Sequence, residues 1–142
     1  MFGRLVFPPR QGELKRLRAN VRSAAARLGA KPEACDSLAL VVDELVNNAV
    51  EHGSSYRRKD LDLTVVIDEV GDRISIEFFD PEMPLANVQE LARSLAATSA
   101  GMPSLESERG RGLFLMSIYL EGLRADVAPA GGLRLTGMVA KR

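Results

Sequence analysis

Pro32-Glu-Ala-Cys-Asp-Ser-Leu-Ala-Leu-Val-Val-Asp-Glu-Leu-Val-Asn-Asn-Ala-Val-Glu-His52 is the stretch from which the fold reads most directly. Leu38, Val41, Val42, Leu45, Val46, Ala49 and Val50 recur three and four apart, a broad apolar stripe that predicts a helix with one buried face. Pro32 suits a first turn, and Gly53-Ser54-Ser55 closes the element. With Leu38 at zero and roughly 100° per residue, Glu44, Asn48 and His52 fall at about 240°, about 280° and about 320°. They walk from the polar side onto the margin of the buried face, where a carboxylate and a carboxamide can face a cleft. An Asn oxygen suits Mg²⁺, a hard cation that keeps several waters. A Glu beside it can orient or deprotonate an attacking hydroxyl. Ordinary flank residues of an amphipathic helix show the same spacing, and periodicity alone leaves both readings open.

Working outward, residues 13–28 contain neither Gly nor Pro, and Leu14, Leu17, Val21, Ala24, Ala25 and Leu28 predict a preceding helix that Gly29 ends. Ahead of it, Leu5-Val6-Phe7 reads as a short strand stopped by Pro8-Pro9. After the long helix, Leu61, Leu63, Val65 and Ile67 alternate, Glu69-Val70-Gly71-Asp72 turns the chain, and Ile74, Ile76 and Phe78 alternate again: a hairpin. A short helix is expected over residues 87–97, a mobile loop over 98–109 and a helix over 113–120. Two terminal strands, 123–128 and 133–140, flank Pro129-Ala130-Gly131-Gly132. Strands joined by tight turns favour a mixed, mostly antiparallel sheet. Helices on one face of it make a two-layer α/β (α+β) sandwich, formed by a single domain over residues 1–142.

Composition narrows the function. The 142 residues are 46% hydrophobic and 27% charged, the balance of an ordinary globular domain. No apolar run approaches the roughly 20 residues of a membrane span. The apolar stretch near Met1 is too short for a signal peptide, so a cytoplasmic protein without membrane contact is expected. One cysteine, Cys35, excludes an internal disulfide and a multi-thiolate metal site, and is expected to be a small packed residue. One histidine, His52, argues against a zinc enzyme and is expected to interact with the last helix carbonyls. Net charge is zero, against direct nucleic-acid binding, but residues 36–108 hold 15 acidic and 5 basic groups. Arg57-Arg58-Lys59 is expected to be a solvated loop or a partner contact.

Two further features carry chemistry. Asp80 is in phase with Ile74, Ile76 and Phe78, so it faces the core side of its strand, where a lone carboxylate is costly unless it is hydrogen-bonded. It can accept from a ligand donor such as an exocyclic amine, or simply open a turn with Pro81. Arg109-Gly110-Arg111-Gly112 runs into Leu113-Phe114-Leu115-Met116. Glycines at a helix start let backbone N–H groups and the helix dipole approach phosphate. The sequence is neither a Walker A loop nor a dinucleotide fingerprint.

Glu44-Leu-Val-Asn47-Asn48-Ala-Val-Glu51-His52-Gly53 resembles the N box of the GHKL (Bergerat-fold) ATPases. Asp80 stands where the first glycine box begins, and Gly110-Arg-Gly112-Leu-Phe-Leu-Met resembles the second. The short chain is similar to the bacterial anti-sigma factor serine/threonine kinases along nearly its whole length. That resemblance implies a Bergerat ATP-binding fold with ATP and Mg²⁺ as cofactors. Glu44 would be the general base and Asn48 the metal ligand, with Asp80 accepting the adenine amine. Gly110, Arg111, Gly112 and Leu113 would line the phosphates under a lid over residues 98–109, and Arg109 would act on the transferred phosphate. It also implies homodimers that withhold a sigma factor and phosphorylate a serine of an anti-sigma factor antagonist of the STAS fold.

The sequence departs from the family in two places. The first glycine box reads Asp80-Pro81-Glu82-Met83-Pro84, without glycine, so Glu82 is expected to set a negative charge beside the nucleotide and lower ATP affinity. Glu108 occupies the place where a basic residue often precedes the second box, with Arg109 one position later. A second reading follows, a non-catalytic binding module that kept the fold and switches partners with weak nucleotide binding. A third is an ATPase or histidine-kinase catalytic domain cut from a larger protein, although no histidine-bearing dimerisation helix is present.

Overall fold

The computed structural model describes residues 2–99 and 108–142, with side chains over residues 3–97 and 112–142. The chain runs β1 (Phe2–Phe7), a 3₁₀ turn (Gln11–Glu13), α1 (Leu14–Arg27), α2 (Pro32–Gly53), β2 (Leu63–Val70) and β3 (Arg73–Asp80). It continues through α3 (Leu85–Ser99), α4 (Glu108–Tyr119), β4 (Glu121–Val127) and β5 (Leu133–Ala140). The five strands form one sheet in the order β1-β2-β3-β5-β4. Each of its four pairings is antiparallel, so the expected mostly antiparallel sheet contains no parallel pair among the described residues.

Alternation fixes which face is covered. Leu63, Val65 and Ile67 of β2, Ile74, Ile76 and Phe78 of β3, and Leu133 and Leu135 of β5 are buried on the inner face. α1 and α2 lie against that face through Leu17, Val21, Ala24, Leu38, Val42 and Val46, so both layers share one apolar core. Burying each large side chain contributes about 1.5–3 kcal/mol. The β2–β3 hairpin closes at the Val70–Arg73 pair, with Gly71 at φ 62°, as a two-residue turn requires.

Several boundaries differ from expectation: β1 starts at Phe2 rather than Leu5, and β2 runs over Leu63–Val70 rather than from Leu61 to Ile67. α3 runs two residues further than predicted at each end, and β4 starts earlier, at Glu121, with a register shift between Glu121 and Arg124. α4 begins at Glu108, so Arg109-Gly110-Arg111-Gly112 lies inside its first turns rather than ahead of it. Gly112 faces α2 closely: a Cβ there would come within 2.7 Å of a Glu44 carboxylate oxygen. The expected lid over residues 98–109 falls mostly on residues 100–107, which lie outside the described residues.

Candidate functional site

Three elements meet at one edge of the helix–sheet interface: the second half of α2, the start of α4, and the adjoining ends of β3 and β5. Glu44 is half-buried on α2, and its Oε2 rests against the backbone of Gly112. One turn on, Asn48 lines a small cavity together with His52, Phe78, Met83, Leu113 and Leu133. The predicted group Glu44, Asn48, Gly112 and Leu113 is therefore assembled in space from two helices. Arg109, Gly110 and Arg111 belong to the first turn of α4, and their side-chain surroundings lie outside the described residues.

Beside Glu44, α2 and α4 enclose a surface groove of about 170 Å³ lined by Asp43, Glu44, Asn47 and Met116. Its apolar rim is unusually open: Leu40 is 47% exposed, Leu115 43% and Tyr119 37%.

The other end of the site is filled. Asp80 is fully buried, and it is the one buried polar or charged residue among those described. Its Oδ1 accepts from Arg57 Nη1 at 3.2 Å and from the Glu82 backbone N–H at 3.2 Å. Its Oδ2 accepts from Arg57 Nη2 at 2.8 Å and from the Tyr56 hydroxyl at 2.7 Å. Four bonds saturate a carboxylate. Arg57 Nη1 also donates to Glu82 Oε2 at 3.3 Å, Nη2 donates to the Ala49 carbonyl at 3.2 Å, and the guanidinium carbon stands 5.3 Å from the Tyr56 ring centre. The Arg57 side chain is only 7% exposed. Burial draws its pKa down, but the hydrogen bonds to Asp80 and the charges of Asp80, Tyr56 and Glu82 outweigh that and raise it, so the group stays cationic.

Two expectations are corrected here. Arg57 is not part of a solvated loop, because the buried Asp80 carboxylate demands a cation and Arg57 is the one that reaches it. Glu82 does not present a bare negative charge: Arg57 takes one oxygen and the Lys59 backbone N–H donates to the other at 2.7 Å. The serine hydroxyls of Ser54 and Ser55 donate to the Glu51 and His52 carbonyls, which is the capping expected of His52, while the His52 ring lines the cavity instead. Cys35 is buried as expected, and burial raises its pKa.

An antiparallel sheet covered on one face, with a Glu/Asn helix edge opposite a glycine-bearing helix start, is a two-layer α/β sandwich with a polar cleft at one edge. Residues 7–132 match the family model of the histidine kinase-like ATPase domain, and the chain belongs to that family. A chain of the crystal structure of the SiaB-SiaC complex from Pseudomonas aeruginosa superposes with a TM-score of 0.72 at 20% identity, covering 95% of this chain and 88% of that one, which establishes the shared fold. No curated protein matches the sequence. No helix among the described residues is long and apolar enough to cross a membrane.

The family is an ATP-using one, and the two ends of the site suit ATP differently. At the α2–α4 end, Asn48 offers a hard oxygen and no side chain stands at Gly112. Mg²⁺ typically takes one or two protein ligands and completes its shell with phosphates and water, so an isolated Asn is adequate. At the β3 end, every Asp80 lone pair is already taken, and the cavity between the two ends measures about 30 Å³, enough for about one or two waters. Small-molecule pockets run to about 300–1,000 Å³.

Proposed function

We propose that this chain is an ATP-dependent protein-serine kinase that regulates by partner switching. The observation that carries the proposal is the Glu44 carboxylate seated against Gly112 with Asn48 one turn further along α2. Glu44 is placed to take the proton of an incoming serine hydroxyl, and Asn48 to hold Mg²⁺. The N–H groups around Gly110 and Gly112, with Arg109, Arg111 and Leu113, would line the phosphates. Bound Mg²⁺-ATP supplies the phosphoryl group, and the protein contributes positioning and charge. The apolar rim of Leu40, Leu115 and Tyr119 gives a protein substrate somewhere to rest beside Glu44.

The substrate in this reading is a STAS-fold anti-sigma factor antagonist, and the unphosphorylated antagonist competes with a sigma factor for the kinase. The chain works as a cytoplasmic homodimer. The similar fold found in a two-protein SiaB-SiaC complex supports a protein partner. The test is transfer of radiolabelled phosphate from Mg²⁺-ATP to a purified antagonist, with Glu44→Gln as control. Transfer lost in the variant supports the proposal, and no transfer by the wild type at saturating ATP overturns it.

The saturated Asp80 favours a second reading: a partner-switching module with weak nucleotide binding. Calorimetric titration separates the two. Micromolar, Mg²⁺-dependent ATP binding supports the kinase, and none up to millimolar ATP supports the module.

A further inference from the structure

Arg57 stands outside the chemistry described above, yet its side chain, only 7% exposed, makes four polar contacts. Its planar fork offers Asp80 two parallel N–H donors, the kind of donor that a purine's exocyclic amine would offer. Both need the same acceptor, and each Asp80 oxygen already has two partners.

The position of this contact makes it a gate as well as a support. Arg57 lies in the segment between α2 and β2, and Glu82 lies in the turn between β3 and α3. Arg57 to Glu82, and the Lys59 N–H to Glu82, fasten these two segments across the mouth of the site. Neither segment is part of the helix–sheet framework. Arg58, Lys59, Asp60 and Leu61, which follow Arg57, are exposed, so the segment can move without opening the core. The guanidinium lies over the end of α2 at a place cleared for it: a Cβ at Gly53 would sit 2.7 Å from Nη2 and 3.0 Å from Nε.

Resting on the reading of Asp80 as the base acceptor, we infer that Arg57 is a built-in occupant of the base subsite, which adenine nucleotide must displace from Asp80 in order to bind. With Arg57 in place the site is closed and nucleotide-free. With Arg57 withdrawn, Asp80 recovers acceptor capacity. Nucleotide affinity is then the intrinsic affinity multiplied by the fraction of molecules with Arg57 out. Arg57, and not the charge of Glu82, sets that fraction, with Glu82 and Tyr56 holding the closed arrangement.

Two variants test this by different routes. Arg57→Ala removes the occupant, and Gly53→Ala keeps the cation but pushes its head group aside with one methyl. ADP and adenosine are titrated calorimetrically into the wild type and both variants, after cooperative thermal unfolding confirms that each is folded. The expected order of ADP affinity is wild type, then Gly53→Ala, then Arg57→Ala, with the last tighter by at least about tenfold. Adenosine, which lacks phosphates, should show the same order. If loss of the Asp80 partner prevents Arg57→Ala from folding, Gly53→Ala against the wild type decides the matter. Equal, measurable binding in the wild type and the folded variants overturns the gate and leaves the ATP site standing. No binding of either probe to any folded variant overturns the ATP site itself, and the gate with it.

Discussion

The two ends of one cleft are built on opposite principles. At the α2–α4 end, Glu44 lies against Gly112, Asn48 shares a small cavity with Leu113, and the groove beyond Glu44 opens to solvent. At the β3 end, Asp80, Arg57, Glu82 and Tyr56 satisfy one another so thoroughly that Asp80 is sealed from water. In the proposed reading, the first end works on something brought in, and the second holds the protein together until a nucleotide displaces Arg57. On that reading the chain keeps the residues of a nucleotide site while one of its own side chains takes the place of the base.

The comparison breaks most visibly at Glu44. Glu44→Gln keeps the size of the side chain and removes the base, which is needed only in the transition state. Transfer to the antagonist should fall about 10²–10⁴-fold, measured by single-turnover phosphorylation at saturating ATP, with ATP binding retained. Normal transfer by this variant would remove Glu44 from the reaction.

Asp80→Ala reports on the other end, through stability. It strands the buried Arg57 with Glu82 and the Ala49 carbonyl alone. Removing one partner of a buried ion pair costs about 3–5 kcal/mol, read as a shift in the urea midpoint. Glu44→Gln should leave that midpoint far closer to the wild type's. Equal shifts would mean that the two ends do not divide chemistry from support.

The sequence carried the α2–α4 end more fully than the β3 end, for reasons of distance along the chain. Glu44, Asn48 and the α2 stripe sit on one helix, whose period is local, and Asp80 falls in phase with Ile74, Ile76 and Phe78 by strand alternation. The two-layer architecture and the β2–β3 hairpin follow from the same local rules. The Arg57–Asp80 pair spans 23 residues, and three basic residues in a row carry no local sign of which one turns inward. The usable signal was the need of a core-facing Asp80 for a cation, combined with Gly53 four residues before Arg57. The early start of α4 was hidden for a related reason: Gly110 and Gly112 read as helix breakers, whereas Gly112 sits within the helix facing the Glu44 carboxylate, a tertiary fact.

Gly112→Ala sharpens the contrast at the point where packing and chemistry coincide. Within a helix, Ala is favoured over Gly by about 1 kcal/mol, and the obstructing atom is the movable end of the Glu44 side chain. Stability should hold or rise by up to about 1 kcal/mol while transfer falls, because the new methyl displaces the carboxylate. A variant both stable and fully active would show that the position of Glu44 over α4 is unimportant.

The smallest expected effect is at Tyr56, and it tests whether the β3 end acts as a unit. Tyr56→Phe keeps the ring beside Arg57 and deletes one of the four donors to Asp80. A buried hydrogen bond contributes about 0.5–1.5 kcal/mol, and more where the acceptor is charged. Three donors remain on Asp80, two of them from Arg57, so the loss should stay within that range in urea denaturation. The vacated lone pair of Oδ2 faces the remaining cluster and returns one acceptor position to Asp80. Tyr56→Phe should therefore bind ADP slightly more tightly than the wild type even as it becomes slightly less stable. A stability loss with unchanged or weaker ADP binding would show that the hydroxyl supports Asp80 without contributing to the closed arrangement of Arg57.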